Sequence, residues 1–155
     1  MTENQSPTLQ ARIDADLKQA MRDKDETVKL TLRAVKTALT EARTADATHQ
    51  LTQDEELAVL QREAKRRRDA AAEYVKFGDQ GRADVELAEL AVIERYLPRQ
   101  LTEAEVEVIA QAAIAQVGAT SAKQLGAVMP VVMAEVKGRA DGKMVNQVVR
   151  RLLGG

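Results

Sequence analysis

The sequence predicts an all-α protein: an N-terminal domain of about four long helices over residues 1–99, then a small three-helix domain over residues 100–155. Three observations lead there. Apolar residues recur at steps of three and four almost throughout, and no convincing alternating strand interrupts them. Thr52 followed by Glu55, and Thr102 followed by Glu105, are capping boxes, each the signature of a helix start. Between the two sets of helices, Pro98 in "YLPRQLTEAE" forbids helical continuation and marks a hinge.

The elements follow in order. Thr8 is placed to cap a first helix carrying Leu9, Ile13, Leu17 and Met21 or Ala20 on one face. The polar "RDKDE" breaks that pattern, and Val28, Leu32, Val35 and Leu39 start another. "ARTADATHQ" reads as a polar linker. From the box at Thr52 a long helix runs to about Phe77, where "GDQG" ends it. The next spans about Ala83 to Tyr96 with Leu87, Leu90 and Ile93 inward, or Ala91 and Glu94 beside them. Beyond the hinge come helices at about 103–117, 121–137 and 142–153. Gly118 ends the first, Ser121 is placed to cap the second, and Pro130 inside the second predicts a kink or a split.

Composition narrows the function. The only aromatics are Tyr74, Phe77 and Tyr96, so Val, Leu and Ala must fill the core. With no cysteine there is no disulfide, thiol nucleophile or thiolate metal site. The polar start "MTENQSPT" has no signal-peptide character and no stretch reaches the roughly 18 apolar residues of a membrane span. The expectation is a cytoplasmic protein without a membrane partner. Formal net charge is −1, yet residues 118–155 hold six cations against two anions.

Two basic stretches stand out. Lys65, Arg66, Arg67 and Arg68 are consecutive, and on a helix they spread over about 300°, so they form no single flat face. Arg67 and Arg68 fall within the apolar stripe of Leu57, Leu60, Ala64, Ala71 and Tyr74 or Val75. They are expected to be structural, stems on the core and charges on Glu89 or Glu94. Lys65 and Arg66 face outward, either paired with Asp69 and Glu63 or forming a secondary basic ridge for phosphate.

The second stretch is "VKGRADGKMVNQ", residues 136–147. Gly138 suits a left-handed helix end, Lys137 suits the negative pole of the preceding helix, and Asp141 caps the next helix with Gly142 as its first residue. That chemistry leaves Arg139 and Lys143 unexplained beside a helix N-terminus, which already favours anions. Lys143, Gln147 and Arg150 recur on the outer face with Asn146 beside them, a pattern suited to phosphate and ribose. Plain solvation of these cations is the competing reading.

At this corner the sequence resembles the GatB/YqeY family. "LTLRAVKTAL", the span from "LTQDEELAVL" to "RYLPRQLTEAE", and "KGRADGKMVNQVVRRLL" fall in the family's order and spacing, covering nearly the whole chain. The first two resemble stand-alone YqeY proteins. The last also resembles the tail of the B subunit of aspartyl/glutamyl-tRNA amidotransferase. The resemblance implies a long-helix domain joined to a three-helix domain. It also implies a tRNA contact at the corner, carried onto Lys137, Gly138, Arg139, Asp141 and Asn146. Pro130 departs from the family's helix before the corner.

Chemistry is not expected. The only serines are Ser6 and Ser121, and the sole histidine, His49, lies in the polar linker. No Ser-Lys or Cys-His constellation, glycine-rich nucleotide loop, metal site or cofactor site is legible. Carbon–nitrogen ligase activity with glutamine as amide donor would belong to the larger relative. The expected function is a non-catalytic tRNA-binding module, with Lys137, Gly138, Arg139, Lys143, Asn146, Arg150 and Arg151 as candidate RNA-binding residues. The alternative is a protein–protein adaptor in translation without RNA contact. A helix-turn-helix reading of the last two helices has no cluster of base-reading side chains behind it.

Overall fold

The computed structural model describes residues 6–44 and 50–154, and every regular element among them is helical. His49 and most of the polar linker lie outside the described residues. The chain divides into two compact units, Met1–Leu97 and Pro98–Gly155.

The first unit holds α1 (Leu9–Asp23), α2 (Glu26–Thr44), α3 (Gln53–Lys76) and α4 (Gln80–Glu94). Thr8 accepts the Ala11 N–H at 3.2 Å and starts α1. Its end comes at Lys24, which takes a left-handed conformation (φ 56°). Asp25 then accepts the Val28 N–H at 3.1 Å, so the polar break both ends one helix and starts the next. The Thr52–Glu55 box forms in both directions at 3.2 and 2.7 Å. The core between these helices is aliphatic, with Ile13, Leu32, Val35, Leu39, Leu60 and Ile93 almost wholly buried. Tyr96 closes it, its hydroxyl donating to Asp16 and the Arg12 guanidinium lying 5.2 Å from its ring centre.

Two expectations for α4 need correction. The helix begins at Gln80, three residues early, because Asp79 accepts the Arg82 N–H at 3.1 Å. Leu87 faces solvent at 45% exposure, while Ala83, Leu90, Val92 and Ile93 are buried. The reason lies across the helix pair. Arg67 of α3 reaches Glu89 of α4 at 3.7 Å. Leu87, two residues away, sits about 200° around the helix and must turn outward.

The second unit holds α5 (Glu103–Val117), a 3₁₀ turn at Ala122–Gln124, α6 (Leu125–Val136) and α7 (Gly142–Leu152). Val106, Val128, Val132, Val136, Val145 and Val149 are fully buried and form its centre. Thr102 accepts the Glu105 N–H at 3.2 Å, but both Glu105 carboxylate oxygens take hydrogen bonds from Arg99, at 3.1 and 2.8 Å. That fork holds the Glu105 carboxyl below the usual carboxylate range.

Pro130 does not split its helix; α6 runs through it, and the break falls earlier, where the 3₁₀ turn meets Leu125. A proline in a helix removes one N–H and crowds the carbonyl four residues back. That residue is Gly126, and both positions are exposed, so the freed carbonyl stays within reach of water.

Candidate nucleic-acid interface

The corner between α6 and α7 is built by backbone geometry first. Gly138 has φ 72°, the left-handed conformation that glycine takes without steric penalty. The Arg139 N–H closes onto the Val136 carbonyl at 2.7 Å. Two contacts from the segment before α5 brace the corner: the Gln100 amide donates to the Gly138 carbonyl at 3.1 Å, and the Leu101 N–H donates to the Arg139 carbonyl at 2.7 Å. The sequence reading assigned neither residue to the corner, because the contact spans 38 positions and leaves no local pattern. Asp141 precedes α7 as its cap, accepting from the Lys143 N–H at 3.5 Å and from the Val145 N–H through its own carbonyl at 3.0 Å.

The candidate cations then separate by what each touches. Arg139 donates to the Glu135 carbonyl at 2.7 Å, satisfying an orphan acceptor and placing positive charge at the negative pole of α6. Arg151 turns toward α5, where Glu107 lies 3.1 Å and Glu103 3.6 Å away. The signal for this was readable: Glu103 and Glu107 are four apart and line one face of the helix that opens the same unit.

Lys143 is exposed, in the first turn of α7 beside its positive pole, and pairs with no carboxylate among the described residues. Arg150 is exposed, and its Nε donates to the Asn146 amide oxygen at 2.8 Å, so its partner carries no charge. Lys143, Asn146, Gln147 and Arg150 follow at helical spacing, opposite the buried Val145, Val148 and Val149. Lys137 is exposed and Gly138 half-buried beside them.

The other basic stretch is discharged. Arg67 donates to Glu63 and meets Glu89, with both Glu63 and Arg67 largely shielded from water. Arg66 contacts the same Glu63 at 3.2 Å, and Lys65 contacts Asp69 at 2.8 Å. Arg68 is half-buried. Among the described residues no group of three or more His, Asp or Glu is placed to hold a metal. No helix among them is long and apolar enough to cross a membrane.

Compared with known proteins, residues 10–153 match the family model described as Yqey-like protein. No curated protein matches the chain.

Proposed function

The chain belongs to the Yqey-like protein family, and on that footing we propose that it is an RNA-binding helical module whose partner class is tRNA, carrying out no reaction of its own. The observation behind this reading is the outer face of α7. Folding accounts for Arg139 and Arg151 through a carbonyl and two carboxylates. It does not account for Lys143 and Arg150, which stand about 10 Å apart along the helix, two turns, with no carboxylate on either among the described residues. Phosphate groups along a strand of RNA supply the charge that the fold omits, and Asn146 and Gln147 between them suit ribose or base edges.

Fluorescence anisotropy with bulk tRNA at low salt tests the site. Replacing Lys143 and Arg150 together by Gln should weaken binding tenfold or more and leave the thermal midpoint unchanged, because neither side chain holds the fold. Binding that survives the double substitution intact refutes the assignment.

A second reading, a protein–protein adaptor, draws on a different observation. Around the α3–α4 turn Val75, Phe77 and Val85 are more than half exposed, Phe77 at 80%. Exposed aromatics at rigid positions are common anchors of protein interfaces. Salt separates the two: a complex through apolar contacts keeps its affinity as salt rises, whereas phosphate contacts do not.

A further inference from the structure

Far from α7 in sequence, at the end of the first unit where α1 and α3 begin and α2 ends, three clefts adjoin one another. The middle one, about 230 Å³, is lined by Thr8, Gln10, Arg43, Gln50, Leu51 and Glu56. It shares Thr8 and Glu56 with a cleft of about 360 Å³ on one side, and Gln10 and Arg43 with one of about 210 Å³ on the other.

Two charges of opposite sign face that middle cleft. Glu56 is half-buried, its carboxylate has no hydrogen-bond or ion-pair partner among the described residues, and burial pushes its carboxyl above the ordinary range. The helix start does not need it, since Glu55 already serves the capping box. Arg43, on α2, is exposed, and its guanidinium has no partner among the described residues. A carboxylate and a guanidinium thus line one cleft from different helices without meeting.

The neighbouring charges are already satisfied. Asp14 holds Lys36 at 2.6 Å in the smaller cleft. Arg12, in the larger one, lies over Tyr96, whose hydroxyl is taken by Asp16. The leftover pair is therefore one anion and one cation, separated by a gap lined with a hydroxyl and two amides. A partly desolvated carboxylate without a partner is a candidate for ligand binding.

We propose that this cleft binds a small zwitterion of the amino-acid type, its ammonium group on Glu56 and its carboxylate on Arg43. The Thr8 hydroxyl and the Gln10 and Gln50 amides complete the polar lining, and Leu51 adds an apolar contact for a short side chain. At about 230 Å³ the space lies below the range of drug-sized pockets, which limits the ligand to a few heavy atoms beyond the two charged groups. A ligand with only one charge leaves Glu56 or Arg43 unpaired and gains less.

The test is a titration of the full-length, nitrogen-15-labelled protein with the common amino acids singly, with methylammonium chloride and sodium acetate as one-charge controls. At least one amino acid should shift the amides of Thr8, Gln10, Arg43 and Glu56 saturably, and should bind tenfold or more tightly than either control. Glu56→Gln and Arg43→Gln should each weaken that binding at least tenfold while preserving the rest of the spectrum. The proposal is overturned if no amino acid shifts these amides, if acetate or methylammonium binds equally well, or if both variants bind like the parent. Because the wild-type titration decides on its own, a variant that failed to fold would not rescue the idea.

Discussion

Arg67 shows how a single side chain sets the geometry of the first unit. Its guanidinium is largely buried between Glu63 of its own helix and Glu89 of α4, and Glu63 is buried with it. Removing one partner of such a pair leaves a charge stranded in low dielectric, a loss of about 3 kcal/mol or more. Arg67→Ala should therefore lower stability by about that amount in urea denaturation. Arg66→Ala, which removes an exposed contact to the same Glu63, should cost under ~1 kcal/mol. Equal effects of the two would mean that burial does not govern this cluster. Arg99 and Glu105 make the opposite kind of pair, at the surface yet forked. The Glu105 carboxyl titrates below its ordinary value in the folded state. Its contribution is thus present above the unfolded carboxylate pKa near 4.3 and is lost as pH falls through the lower folded value. Thermal midpoints of the parent and Arg99→Gln should differ at pH 7 and converge toward pH 3; a gap that widens in acid contradicts the assignment.

At the scale of elements, the two glycines of the corner should respond in opposite directions. Gly138 sits at φ 72°, so Gly138→Ala should cost about 1 kcal/mol. Gly142 is the first residue of α7 in ordinary helical geometry, and a Cβ there would meet Met133 Cε at 4.0 Å, a normal contact. Gly142→Ala should stabilise by about 0.5 kcal/mol through the unfolded chain's lost freedom. Chemical denaturation of both variants checks the pair. The corner's caps and turn were legible in the sequence because each depends on residues no more than four apart. The same holds for most helix starts, which Thr8 and Thr52 announce through their own side chains. What the sequence did not yield is what tertiary contacts decide. The phase of α4 depends on Glu89 answering Arg67, and nothing in the local pattern ranks that above burial of Leu87. The acidic face of Glu103 and Glu107 was legible on α5, but only tertiary packing sets it against Arg151 and not Arg150. Continuity through Pro130 goes with Gly126 and Pro130 both lying on the solvent side.

For the whole molecule, charge is distributed by unit. Met1–Leu97 carries sixteen cations and nineteen anions, whereas Pro98–Gly155 carries seven and five. Neither balance is large, so no general field draws a polyanion in. On the proposed reading, affinity for RNA comes from a few placed contacts, and the outer face of α7 offers two cations, Lys143 and Arg150, with no carboxylate partner among the described residues. Such contacts release counterions, and each contributes about 0.7 to 0.9 to the slope of log affinity against log salt. The most direct measurement is tRNA affinity across a salt series for the parent and for the variant with Lys143 and Arg150 both replaced by Gln. The account predicts a steep decline for the parent and a slope shallower by about 1.5 for the variant. Parallel lines for the two proteins, or an affinity indifferent to salt, would contradict it.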